Sequence, residues 1–219
     1  MHHPLLLDRL KFDIRLYVLV LSCDPLKIFL FKEGLVRFAT MDYVPIGHEN
    51  SSLKNQYQHL TNYSLNKENS RFREAKSIDD DTGHKRSLTK TLERLKKDGH
   101  DTDKLMAEMK DIIIKTLLPI QKDLAHNYHS CQPQDQEGLM CFEILGFDII
   151  VDKDLKPLLL EVNHAPSFAT QSPLDYEIKA AVFRDTFQLL GMSVEKKKEI
   201  IKKQIEAKQN RMMCKLTLK

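Results

Sequence analysis

From Lys11 to Val18 the chain alternates between polar and apolar positions, and it stays apolar to Leu21. Phe12, Ile14, Leu16 and Val18 interleave with Asp13, Arg15 and Tyr17, and Lys11 stands just ahead. A period of two in a stretch rich in β-branched and aromatic residues predicts a strand with one face in a core and the other charged. Such a charged face is either a solvated sheet surface, the commoner case, or the floor of a site. Cys23-Asp24-Pro25-Leu26 predicts a turn into a second strand over Lys27 to Phe31, and Lys32-Glu33-Gly34 predicts another turn into a third over Leu35 to Thr40. Strands joined by short turns make an antiparallel meander.

Further on the period changes. Asn50 to Tyr63 is polar and fits no template, and Asn66 to Lys85 is charged and loop-like around Asp79-Asp80-Asp81. Ser87 to Lys97 predicts a short helix stopped by Gly99. Asp101 or Thr102 caps a second, with Leu105, Met109, Ile112, Ile113 and Leu117 at helical spacing until Pro119. Met140 to Asp152 and Leu155 to Asn163 predict a second strand pair, and Asp175 to Leu190 a helix ended by Gly191. Ser193 caps a last, basic helix. Strands, helices and strands again indicate an α+β fold.

The hairpin between Cys141 and Asn163 carries the densest chemistry. With Lys153-Asp154 as a two-residue turn, Asp152 pairs with Leu155 and Asp148 with Leu159. Asp148, Glu161 and Asn163 then share one face, because side chains two apart point the same way. Two carboxylates and an amide oxygen suit Mg²⁺, a hard cation that prefers oxygen ligands and substrate phosphates. The alternative is a polar hairpin face that meets only water.

Composition narrows the class without naming it. The 219 residues are 42% hydrophobic and 30% charged, which excludes collagen-like, disulfide-scaffold and wholly disordered chains. Cys23, Cys131, Cys141 and Cys214 form no CxxC pair or metal-ligand spacing, so they read as reduced thiols in a cytosolic setting. The longest apolar run, Leu16 to Leu21, is too short to span a bilayer, and the first residues lack a secretory signal's length and cleavage site. The net charge of +3 is unevenly spread: from Glu195 onward, nine Lys or Arg residues face three Glu. Such a tail attracts polyanions of any kind.

Five blocks in order add a resemblance: Lys11-Phe12-Asp13-Ile14-Arg15-Leu16-Tyr17, Gly34-Leu35-Val36-Arg37-Phe38, His59-Leu60-Thr61-Asn62-Tyr63-Ser64, Gly146-Phe147-Asp148 and Glu161-Val162-Asn163. Together they resemble the tubulin tyrosine ligase-like family, its polyglutamylase branch best, from about Leu5 to Leu190. The resemblance implies an ATP-grasp-like ligase with ATP and Mg²⁺ as cofactors. By motif position it implies Mg²⁺ on Asp148, Glu161 and Asn163, and ATP contacts from Lys11, Asp13, Thr61 and Asn62. It places the incoming glutamate on Arg37, Tyr63, Ser64, Lys85 and Lys179, with Arg15 and Arg37 as catalytic arginines and Arg15 touching either phosphates or the acceptor.

The implied reaction adds glutamate to glutamate side chains of tubulin tails through an acylphosphate. It needs positioning and electrostatics rather than a protein nucleophile. Finding no Ser/His/Asp or Cys/His constellation agrees with that. Implied partners are tubulin, microtubules and free glutamate, with no membrane and no specific nucleic acid. A monomer is expected, in the cytoplasm on the microtubule cytoskeleton, with cilium axoneme or basal body as locations.

The expected organisation is a ligase domain over 1–191, incomplete at its N-terminus, and a basic helical extension over 192–219 that binds microtubules. Departures from the family pattern are Ala165 where Ser is common, Leu158 where Trp is frequent, and Arg9 near a usual Gly. Other readings remain open: a fragment that binds microtubules without catalysis and, within the enzyme class, a related glycylase or a tyrosine ligase.

Overall fold

The computed structural model describes residues 3–45, 55–135, 138, 140–191, 193–195, 198–199, 201–202, 205–206 and 209. They fall into two units, 1–182 and 183–219, divided within one helix.

The first unit is built on a six-stranded sheet. β1 (Leu6–Leu7) turns back onto β2 (Leu10–Cys23), which lies between β3 (Leu26–Phe38) and β5 (Glu143–Val151). β4 (Lys85–Ser87) and β6 (Pro157–Asn163) form the outer strands, giving the order β4-β3-β2-β5-β6, with every pairing antiparallel. The predicted α+β class holds.

Of two short helices, α1 (Gln56–His59) lies in the segment that matched no template and α2 (Tyr63–Asn66) begins at its end. α3 (Leu88–Lys97) starts where Ser87 Oγ accepts from the Lys90 N–H, and α4 (Thr102–Leu117) where Asp101 accepts from the Lys104 N–H. Asp101 is one of the two caps expected for α4, whereas Ser87, expected as the first residue of its helix, is the N-cap of α3. Beyond Pro119, which sits in a single 3₁₀ turn, α5 (Gln121–Cys131) continues where no helix was expected, and α6 (Pro173–Leu189) follows β6.

The alternation in β2 divides the sheet into two faces. Phe12, Ile14, Leu16 and Val18 join Val36, Phe38, Phe147, Ile149 and Val151 in a core closed by Leu88 and Leu95 of α3 and Leu105, Met109, Ile113 and Leu117 of α4. Asp13, Arg15, Arg37 and Asp148, at the other parity, point to the opposite face.

The turn expected at Lys32-Glu33-Gly34 is instead a bulge inside one continuous strand. Leu16 pairs with Gly34 and Val18 with Leu30, so residues 31–33 lie opposite Tyr17. The extra length aims Glu33 at the start of α3, where its carboxylate accepts from the Thr89 N–H at 3.0 Å and the Thr89 hydroxyl at 2.6 Å. A bulge that aims a side chain is a common use of that irregularity.

The loop of the second hairpin also differs from expectation. Leu155 takes φ 65°, its N–H bonds to Asp152 O, and the Asp152 N–H bonds to Lys156 O, so Lys153, Asp154 and Leu155 form the loop. That slips the register by one residue. An extra residue, Leu160, slips it by one more in the same direction: Ile149 pairs with Leu159, but Asp148 pairs with Glu161, and a shift of two restores the face. Asp148, Glu161 and Asn163 therefore share a face after all, with Glu161 rather than Leu159 opposite Asp148.

In the second unit, Phe183 and Phe187 stack at 6.0 Å between ring centroids, and the described residues between 194 and 209 are helical. Lys198 and Lys202 are exposed there, whereas Lys196, Lys197, Lys203, Lys208, Arg211 and Lys215 lie outside the described residues, as does Cys214. Cys23, Cys131 and Cys141 are free thiols.

Two backbone substitutions should act in opposite directions. Asp8 and Arg9 make the two-residue β1–β2 turn at φ 53° and 65°, the left-handed pair that favours Asp-Gly. Arg9→Gly should raise unfolding free energy by about 1 kcal/mol, since Arg pays a left-handed penalty that Gly does not. A Cβ on Gly34 would stand 2.6 Å from Arg15 O. Gly34→Ala should therefore cost about 1–3 kcal/mol. Urea unfolding of the three proteins checks both.

Candidate functional site

The charged face of the sheet is organised by register. Arg37 of β3 lies opposite Asp13 of β2 on one side and Lys85 of β4 on the other. One step along, Arg15 of β2 lies opposite Asp148 of β5, which in turn faces Glu161 of β6. Arg37 Nε donates to Asp13 Oδ1 at 3.0 Å, and its Nη2 bonds both Asp13 Oδ2 and, at 2.7 Å, Asp148 Oδ2. Arg15 meets Asp148 with a two-point fork, Nε on Oδ1 and Nη2 on Oδ2 at 2.7 Å. Two arginines and two aspartates thus form one connected floor. Both aspartates are nearly inaccessible, at 2% of side-chain surface.

Burial works to raise the Asp148 carboxyl, but the guanidinium groups of Arg15 and Arg37 overcome it and hold the group below its ordinary range. Arg37 is held still more firmly protonated: burial opposes the charge, and Asp13 and Asp148 more than compensate. Burial pushes the neighbouring Tyr17 hydroxyl up to about 12, so it is a neutral phenol at working pH.

Above this floor lies a cavity of about 440 Å³. Arg15, Arg37, Asn62, Tyr63, Ser64, Lys85, Asn163 and Lys179 all line it. All five residues expected to hold glutamate are therefore brought together from β3, α2, β4 and α6. Lys85 Nζ stands 3.8 Å above the Tyr63 ring, a cation–π contact, and Lys179 Nζ donates to Ala169 O at 2.6 Å.

The expected nucleotide residues are less uniform. Asn62 lines the cavity, whereas Lys11 and Thr61 do not, and both carboxylate oxygens of Asp13 are taken by Arg37. Lys11 Nζ donates to His59 O at 2.6 Å, which ties it to the segment carrying Thr61 and Asn62. In that segment Gln58 Oε1 and His59 Nε2 are buried with no hydrogen-bond partner. Burial lowers the Lys11 ammonium pKa, and Asp13 partly restores it.

Asp148, Glu161 and Asn163 present hard oxygen donors on one face, and the Asn163 amide reaches Glu161 Oε1 at 3.2 Å. Among the described residues no cluster of three His, Cys, Asp or Glu is placed to hold a metal, and the third donor of this set is an amide. The set fits Mg²⁺ of the kind that shares its coordination with phosphate oxygens and water. Arg15 and Arg37 now occupy both Asp148 oxygens.

Asp175 is the site residue that the sequence reading does not single out. It lines the cavity at 2% exposure and carries the only carboxylate among its lining residues. A signal exists in Ser172-Pro173-Leu174-Asp175, a capping-box pattern. Ser172 Oγ does accept from the Asp175 N–H at 3.1 Å, so the pattern by itself explains only a helix start.

A pocket rich in cations, on an antiparallel sheet beside three hard oxygen donors, suits small anionic ligands. Comparison with known proteins supplies the family. Residues 1–211 match the tubulin-tyrosine ligase family, and the chain belongs to it. It is 49% identical over 214 residues to a probable beta-tubulin polyglutamylase of Tetrahymena thermophila, covering 97% of this chain and 18% of that protein. It is 48% identical over 200 residues to mouse tubulin polyglutamylase TTLL13, covering 90% of this chain and 24% of the relative. Human tubulin polyglutamylase TTLL6 is 43% identical over 211 residues, covering 96% of this chain and 23% of the relative. The chain thus spans about a fifth to a quarter of the length of these relatives.

The floor has a stability consequence. Asp148→Ala leaves two partly buried guanidinium groups short of a partner and should cost about 3 kcal/mol at pH 7. Glu161→Ala, at an exposed position, should change stability little. The folded Asp148 pKa lies below its ordinary 3.8, so its contribution is complete above that value and is lost as pH falls through the lower folded one. Urea midpoints from pH 7 to pH 2 should show the gap between wild type and Asp148→Ala closing only below about pH 4.

Proposed function

We propose that the chain is the part of an ATP-dependent tubulin polyglutamylase that holds the incoming glutamate and the metal. The single observation that carries this reading is the convergence of Arg37, Tyr63, Ser64, Lys85 and Lys179 on one cavity beside Asp148 and Asn163. The names of the relatives support tubulin as the acceptor.

In the proposed reaction an acceptor γ-carboxylate oxygen attacks the γ-phosphorus of ATP, releasing ADP and leaving an acylphosphate. The amino nitrogen of free glutamate then attacks the carbonyl carbon, phosphate leaves, and the amine's proton passes to solvent. Arg37 and the two lysines bind glutamate carboxylates, while Arg15 faces the charge that moves during transfer. Lys11, Asp13, Thr61 and Asn62 belong to the nucleotide side. Mg²⁺ held by Asp148, Glu161 and Asn163 would screen phosphate charge when bound. The domain proposed over 1–191 carries this chemistry, and the basic extension over 192–219 draws the acidic tubulin tail by long-range attraction. The setting proposed is the microtubule cytoskeleton of the cytoplasm, cilia included. No helix among the described residues is long and apolar enough to cross a membrane.

The test incubates the purified chain with microtubules, ATP, Mg²⁺ and glutamate and reads intact masses of both tubulins. Glutamate-sized increments are expected, and they should disappear in Asp148→Ala/Glu161→Ala and on Mg²⁺ chelation. Co-sedimentation with microtubules but no increments would instead identify a binding segment without ligase activity.

A further inference from the structure

We propose that Asp175 is a positioning residue that holds Lys85 and Lys179 together as a paired cationic clamp for one carboxylate of an acidic amino acid. This rests on the reading of the cavity as an amino-acid pocket and assigns a role to its one lining carboxylate.

Three segments meet at Asp175. Its Oδ2 accepts from Lys85 Nζ of β4 at 2.5 Å and from Ser172 Oγ at 3.0 Å. Its Oδ1 lies 3.2 Å from Lys179 Nζ, one turn along α6, yet has no hydrogen bond of acceptable geometry. All three charged side chains are almost fully buried, Lys85 at 4%, Lys179 at 7% and Asp175 at 2%. Two ammonium groups brought this close in a poorly hydrated site repel each other, and each loses hydration. One carboxylate between them removes most of that penalty and leaves a single net positive charge, which matches one substrate carboxylate.

The arginines of the floor keep donors as well, but their charge is already shared with aspartates. Arg37 is engaged by Asp13 and Asp148, and Arg15 by Asp148. Each ammonium has three donors. Lys85 spends one on Asp175 and sets its charge over the Tyr63 ring, and Lys179 spends one on Ala169 O. The lysine pair therefore keeps donors for a ligand.

The charge state of Lys85 depends on this arrangement. Burial lowers its pKa, Asp175 raises it, Lys179 lowers it and Glu74 raises it slightly. Tyr63 on α2 and Arg37, its partner on β3, complete the surroundings. Removing the Asp175 charge leaves burial and Lys179 working in the same direction, so Lys85 should lose its proton at a lower pH.

Asp175→Asn keeps the size and a hydrogen-bond acceptor but removes the charge, and Asp175→Glu keeps the charge. Binding of L-glutamate and of a non-hydrolysable ATP analogue would be followed by calorimetry from pH 6.5 to 9, with ¹³C-lysine NMR titration of each protein. Expected for Asp175→Asn are a roughly tenfold loss of glutamate affinity at high pH that shrinks toward pH 6.5, and a Lys85 titration moved to lower pH. ATP-analogue affinity should hold, and Asp175→Glu should recover most of the loss. An unchanged Lys85 titration would overturn the clamp, as would an equal, pH-independent loss of both ligands. A wild-type chain that binds no acidic amino acid would overturn the substrate reading and the carboxylate assignment, while the lysine titration would still decide whether Asp175 pairs the two cations. Should Asp175→Asn fail to fold, Asp175→Glu and Ser172→Ala carry the same titration.

Discussion

The pairing of β2 with β3 and β5 is the constraint on which the rest of this molecule depends. One strand supplies the apolar row that seats α3 and α4 and, at the alternate positions, Asp13 and Arg15. Because β2 is central, both residues find opposite charges directly across a ladder, Arg37 on one side and Asp148 on the other. Desolvating such groups singly would cost several kcal/mol each, and only a paired, well-bonded arrangement is tolerable. Slipping either ladder by one residue would place Arg37 or Asp148 in the core and Val36 or Phe147 in the site.

On that floor the pocket is assembled from segments far apart along the chain. β4 is only three residues long, yet its pairing with β3 puts Lys85 opposite Arg37. α2 sets Tyr63 under the Lys85 ammonium, and the start of α6 brings Asp175 and Lys179 to the same wall. These short segments are tied to the floor by buried charges as well as by apolar contacts such as Leu174 and Ile178 of α6. Charge that would be costly in isolation becomes the means of holding the walls together.

The same floor gives a physical account of how a ligand and a metal could communicate. Asp148 belongs to both sets: it accepts from Arg15 and Arg37, and it stands opposite Glu161. A cation drawn to the Asp148 side would compete with two guanidinium groups for the same oxygens. An arginine released from Asp148 would then be free for a substrate carboxylate or phosphate. Under the function proposed above, this shared aspartate would link the metal side to the substrate side within one sheet.

Much of this was legible in the order of residues. The alternation of β2, the capped helices α3 and α4, the α+β class and the motif order that marks the family are local or sequential, and local signals survive folding. Other features are long-range. The bulge at residues 31–33 replaces an expected turn because Glu33 reaches α3, and nothing near Glu33 in the chain announces that partner. The shared face of Asp148 and Glu161 results from a longer loop at Leu155 and a bulge at Leu160, two one-residue shifts that add to two and so restore the parity. Asp175 reads locally as the end of a capping box. Only the tertiary structure, by bringing Lys85 from 90 residues away onto its carboxylate, makes it part of the site. The sequence by itself determined which residues carry charge and which faces they share, because that follows from backbone period. The fold decided which charges meet, because that depends on register between strands the chain visits far apart.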